Sequence, residues 1–234
     1  MIKLGKVPLE RALSKLGVAS RSQTKTWIEQ GRIKVNGSLI KTPTYLVVPE
    51  KDRITLDGQI VGKPEWQTIM LYKPKGFVTT KSDEKGRKTV YDLLPQELQH
   101  LHPVGRLDMA TSGLLLMTTD SQLSNYLTDP KNALTRVYIV TVDGKITEDD
   151  LNLLTNGIED EGELLKPSKI TLRKTSNRES HLTVELCEGK NREIRRMFEK
   201  IGHEVSSLKR VSFGKLNLGN LEPGQFRKVN KNDL

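Results

Sequence analysis

HPVGRLDMATSGLLLMTTD, residues 102 to 120, is the most informative stretch of this chain. A loop with Gly105 leads into Arg106, Leu107 and Asp108. A small polar turn, Thr111-Ser112-Gly113, follows, and then a run of leucines with the composition of a buried strand. An acid held on a loop against the start of a core strand is rigidly supported yet open on one side, which suits a reactive group. The residues alone leave a second reading open, in which Asp108 pairs with Arg106 and caps a turn, since ion-paired loop aspartates are common.

Working outward, TIMLYKP, GLLLMTT, RVYIVTV, KITL, HLTVELC and VSFGKLNL read as strands. Between them SQLSNYLTD and TEDDLNLLTNGI read as helices, the second opening with Thr147 and Asp150 at capping-box spacing, and NREIRRMFEKIG as a third that ends at Gly202. Strands outnumber helices and several follow one another directly. The expected class is therefore α+β, a largely antiparallel mixed sheet flanked by helices, and not a doubly wound parallel fold.

The first quarter is a separate module, αα then β. Leu9, Ala12, Leu13 and Leu16 recur at helical spacing, Gly17 stops the run, and Ser20 or Ser22 can cap a second helix that carries Trp27 and Ile28 up to Gly31. Asn36-Gly37 and Asp57-Gly58 each lie between apolar runs, as hairpin turns require. GKPEWQ, with Pro64, reads as a linker, so the expected domains are residues 1–62 and 67–234.

The net charge of +9 makes a polyanion the natural partner, and it is unevenly placed. Residues 1–66 hold 12 Lys and Arg against 6 Asp and Glu, a net of +6. No stretch approaches the roughly 20 apolar residues of a membrane helix, and the N-terminus has no signal-peptide run, so a cytoplasmic protein without a membrane partner is expected. The lone Cys187 sits in an alternating strand pattern and reads as a filler. His100, His102, His181 and His203 lack zinc spacing, and neither a Walker loop nor a GxGxxG segment occurs; no cofactor and no metal are expected.

GRLDMATSGLLLMTTD closely resembles the signature of pseudouridine synthases, in the ribosomal-RNA branch that includes the RsuA type. MLYKPKGFVTT (70–80) resembles the first motif of that branch. RVYIVTV (136–142) resembles the strand bearing its tyrosine, and EGKNREIRRMFEKIGHEVSSLKRVSFG (188–214) its C-terminal motif. GVASRSQTKTWIEQGRIKVNG (17–37) is similar to the RNA-binding domain of small-subunit ribosomal protein four. Pro8 and Glu10 depart from the more basic helix start expected there.

The resemblance implies an RNA pseudouridine synthase, acting as a monomer on structured, ribosomal RNA, with a lean toward the large subunit. Asp108 falls at the catalytic aspartate, Arg106 at the arginine of the same motif, Tyr138 at the base-stacking tyrosine, and Arg195 at the basic partner of the aspartate. Leu208 falls at the apolar position lining the base pocket. Flipping a uridine out of its stack needs cationic support for the distorted backbone. Lys73, Lys75, Lys190, Arg192, Arg195 and Arg196 are expected to supply it, Lys200 either joining them or lying on a solvated helical face, and Arg21, Lys25, Arg32 and Lys34 to hold phosphates from the first module. The rival class is a non-catalytic RNA-binding assembly factor of the same shape, for which Asp108 beside such partners would have no chemical use.

Overall fold

The computed structural model describes residues 5–16, 18–49, 51–62 and 65–234, and the chain divides into two compact units, Met1–Trp66 and Gln67–Leu234. The expected helix stop at Gly17 and the Lys63-Pro64 part of the linker lie outside the described residues.

In the first unit, helix Leu9–Lys15 is followed by helix Arg21–Glu29, whose N-cap is Ser20; its side chain accepts from the Gln23 N–H at 3.3 Å. Two hairpins then build a four-stranded sheet. Asn36 and Gly37 have φ of 52° and 86°, and Asp57 and Gly58 have 50° and 84°, the pair of left-handed residues that a tight hairpin turn demands. Ile33, Val35 and Ile54 face Leu9, Leu13 and Ile28 in a core of this unit's own.

The second unit is built on one sheet. In spatial order its main strands are Lys169–Thr175, Glu179–Leu186, Arg136–Asp143, Val205–Phe213, Ser112–Thr118, Thr68–Lys73 and Phe226–Lys228. Neighbours run antiparallel except Val205–Phe213 beside Ser112–Thr118. Both faces of the centre are covered, which is why every residue of Ser112–Thr118 is buried. Leu115 and Met117 point to one core with the helices Glu148–Asn156 and Glu193–Lys200; Leu114 and Leu116 point to the other with Leu127 of helix Ser121–Thr128. Thr147 and Asp150 do form a capping box.

VSFGKLNL is not one strand. Val205–Phe213 ends at Gly214, whose φ of 56° turns the chain back into the short strand Leu216–Asn217. The acidic hairpin Ile158–Asp160 and Glu163–Leu165, turning at Glu161 and Gly162, was not legible as strand because each arm is only three residues long.

Gly113 fixes the middle of the sheet. Its φ is 109°, and a Cβ there would lie 2.1 Å from the Arg210 carbonyl oxygen, so only glycine lets the two parallel strands meet. That close approach brings the loop before Ser112 against Arg210.

Candidate active site

Asp108 sits on a loop that is fastened from behind by the segment 73–79. The Lys73 ammonium donates to the carbonyls of Thr111 (2.6 Å), Asp108 (2.9 Å) and Pro74 (3.1 Å). The Thr79 hydroxyl donates to the Leu107 carbonyl at 2.8 Å, and the Gly76 N–H to that of Met109 at 2.8 Å. Lys73 is wholly buried, and burial pushes its pKa down to about 8 against the opposing pull of Asp108. It is therefore turned away from phosphate, contrary to the expectation from sequence, and positions the loop instead.

The Asp108 side chain is 28% exposed and faces Arg195, whose Nε donates to its Oδ2 at 3.4 Å. Arg195 is held in turn by the Val205 carbonyl at 2.9 Å and lies 3.5 Å from the Thr111 hydroxyl. Burial pushes the Asp108 carboxyl up, but Thr111 and the Arg195 guanidinium outweigh it, and the net pKa lies below the usual carboxylate range. Asp108 is thus ionised at neutral pH. Its Oδ1 is buried without a hydrogen-bond partner of good geometry. The alternative pairing with Arg106 does not form: Arg106 is exposed, on the rim of the cleft.

That cleft, about 890 Å³, brings together Asp108, Tyr138, Leu208 and Arg106. Tyr138 is 8% exposed, and the ladder between its strand and Val205–Phe213 shifts register next to it, an irregularity that re-aims a side chain. Lys190 and the exposed Arg192 line the same cleft, although Lys190 is engaged by Glu188 at 2.6 Å and the Leu164 carbonyl at 2.7 Å. Lys75 is exposed and donates to the Ser206 carbonyl at 3.2 Å.

Arg196 is placed differently from expectation. It is bound by Asp160 at 2.5 Å and Glu163 at 2.7 Å, with Glu161 at 3.7 Å, all from the acidic hairpin, and Lys200 meets Asp160 at 2.9 Å. Both cations tie the helix to the hairpin and are not offered to the cleft. In the first unit Arg21, Lys25 and Lys34 are exposed, while Arg32 is forked onto Asp57 and stacks over Trp27 at 5.0 Å.

The family model for RNA pseudouridylate synthase matches residues 67–200. The chain belongs to the RNA pseudouridylate synthase family. An S4 domain model matches residues 7–54 of this synthase. It is 37% identical over 228 residues to a Bacillus subtilis protein named ribosomal large subunit pseudouridine synthase B, covering 97% of this chain and 93% of that one. A Pseudomonas aeruginosa protein of the same name is 38% identical, over 97% of this chain and 60% of its own length. Among solved structures, one titled "Crystal structure of pseudouridylate synthase" superposes with a TM-score of 0.69 at 29% identity, covering 97% of both chains.

Sequence reasoning missed Arg136, Glu193, Arg210 and Phe213, all in the synthase cleft. Arg136 is 6% exposed and donates to the carbonyls of Leu134, Cys187 and Leu127; it and Arg210 lie 4.8 and 5.1 Å from the Phe213 ring centroid. Their spacing in sequence gives little sign of this, but Gly113 does, since an obligatory glycine marks where another backbone comes close.

Proposed function

We propose that this synthase isomerises a uridine of large-subunit ribosomal RNA to pseudouridine, with Asp108 as its catalytic carboxylate. The observation that carries the assignment is an ionised acid, rigidly fastened, in a cleft rimmed by the cations Arg106, Lys190 and Arg192. A carboxylate repels phosphate, so a protein that only bound RNA would be better without it; this disfavours the assembly-factor reading. The relatives' names supply the ribosomal substrate.

The reaction breaks the bond between N1 of uracil and C1′ of ribose, turns the base, and joins C5 to C1′. C5 loses a proton and N1 gains one, so no atom, electron or cofactor is consumed. Asp108 serves either by adding covalently or by taking the ribose C2′ proton, and both routes need its ionised form. Arg195 keeps it ionised. Tyr138 offers a flat face to the base and a hydroxyl for proton transfer, with Leu208 as an apolar wall. Arg106, Arg192, Lys190 and Lys75 support the RNA around the cleft, Lys73 holding the loop from inside. Residues 67–234 form the catalytic domain, and residues 1–62 carry RNA-backbone contacts through Arg21, Lys25 and Lys34, with Arg32 held back by Asp57. The enzyme acts as a monomer.

Incubating the purified protein with in vitro transcribed large-subunit ribosomal RNA tests this. Pseudouridine appearing at one position, measured by site-resolved mapping, is expected; RNA left unmodified at every position overturns the assignment.

A further inference from the structure

Among the described residues, three buried side-chain polar atoms have no hydrogen-bond partner of good geometry: Asp108 Oδ1, Glu193 Oε1, whose carboxyl stands against that of Glu188, and Arg210 Nη2. All three residues line the same cleft. Leaving such an atom unpaired is costly, so three together in a cleft mark where a ligand supplies the missing partners. Asp108 is accounted for by the chemistry. Glu193 and Arg210 are not.

Both are held so that one atom is left over. Arg210, 3% exposed, donates from Nε to the Leu114 carbonyl at 2.7 Å and packs on Phe213; in the ladder it stands opposite Tyr138. Glu193, also 3% exposed, accepts the Lys190 N–H on Oε2 at 3.2 Å. Arg136, whose guanidinium is occupied by three backbone carbonyls, lines the same cleft as both.

We propose that Arg210 and Glu193 read the edge of the target uracil, Arg210 Nη2 donating to the C4 carbonyl of the bound uridine and Glu193 Oε1 accepting the adjacent N3–H. This rests on the synthase reading of the cleft and adds the groups that select the base. Uracil presents carbonyl, N–H, carbonyl along that edge, which a donor beside an acceptor complements. Cytosine has no hydrogen on N3 and an amino group in place of one carbonyl, so it meets neither as well. The isomerisation itself adds a constraint. Turning the ring about the axis through N3 and C6 exchanges N1 with C5 and one carbonyl with the other, while N3–H stays where it was. A donor and an acceptor at this edge are therefore satisfied by uridine, by the detached base after half a turn, and by pseudouridine. They keep hold of the free base between bond breaking and bond making.

The test uses short RNAs built around the mapped position and carrying uridine, 3-methyluridine or 4-thiouridine there, with single-turnover rates measured at saturating enzyme. Methylation removes the N3 hydrogen, and sulfur weakens one carbonyl as an acceptor. Wild-type enzyme is expected to prefer uridine over each analogue by roughly 10- to 100-fold, the usual value of a lost buried hydrogen bond to a charged group. Glu193→Ala should collapse the preference against 3-methyluridine, and Arg210→Met that against 4-thiouridine. Glu193→Gln and Arg210→Lys, which keep an acceptor and a donor, should retain most of each. These ratios are internal to each variant, so partial unfolding lowers both rates and leaves the ratio alone. Unchanged ratios in Glu193→Ala and Arg210→Met overturn the proposal while leaving the synthase assignment intact; a wild-type enzyme that converts no RNA would instead overturn that assignment.

Discussion

Replacing Lys73 by Met separates two roles for a residue that sequence reasoning sends to phosphate and the fold places inside. The ammonium makes three hydrogen bonds, at 2.6, 2.9 and 3.1 Å, to carbonyls of the Asp108 loop and of Pro74. Bonds to a charged group contribute roughly 1.5 to 3 kcal/mol each, about 4 to 9 together. Against this stands the cost of burying the charge. The fall in pKa from 10.5 to about 8 puts that at roughly 3 kcal/mol, which an apolar replacement recovers. The net loss on Lys73→Met is about 1 to 6 kcal/mol. At about 2 to 4 °C per kcal/mol for a unit of this size, a fall in Tm of roughly 2 to 24 °C is expected. Turnover should fall as well, because Asp108 loses its backing, whereas the dependence of RNA affinity on salt should stay as it was. Thermal melts and affinities at several salt concentrations decide it. An unchanged Tm with a log-log salt slope shallower by about 0.7 to 0.9 would mean that Lys73 touches phosphate, and the account of the loop would be wrong.

Tyr138→Phe keeps the ring face and removes the hydroxyl, so it should slow single turnover by about 10² to 10⁴ with affinity little changed; an unaltered rate reduces Tyr138 to a stacking residue. Glu193 carries a stability signature of its own. Burial and Glu188 push its pKa from 4.5 up to about 7, so between those values the folded state holds the extra proton and stability falls as pH rises. Glu193→Gln abolishes that loss and should gain roughly 4 to 10 °C in Tm relative to wild type between pH 5 and pH 8, with a constant difference counting against a buried ionising Glu193. Deleting residues 1–62, which carry the whole +6 of the first quarter, should leave a folded second unit with weaker, less salt-dependent RNA binding; equal slopes would make the first unit purely structural.

Much of the fold was legible because local signals agreed with it. Asn36-Gly37 and Asp57-Gly58 name their turns, Thr147 and Asp150 their cap, and the leucines after Gly113 a strand covered on both faces. The cations were harder, because what occupies them lies far away in sequence. The Lys73 ammonium is taken by carbonyls 35 and 38 residues on, and Arg196 by acids 33 and 36 residues back. A lysine in YKPKG or an arginine in EIRR carries no local mark of such partners. Arg210 and Glu193 were hidden for a related reason: charged residues are almost never fully buried unless paired, so sequence alone assigns them to the surface.

The central claim is that Asp108, as an ionised carboxylate, converts a ribosomal uridine to pseudouridine. The most direct measurement maps pseudouridines in large-subunit ribosomal RNA from cells that lack the gene, complemented either with the wild-type chain or with Asp108→Asn. Asn keeps the shape of the side chain and removes its charge and its nucleophile. A pseudouridine restored by the wild-type chain and absent with Asp108→Asn, the variant binding RNA within a few-fold of wild type, is the result expected. Full modification by Asp108→Asn, or no site that depends on the wild-type chain, would contradict it.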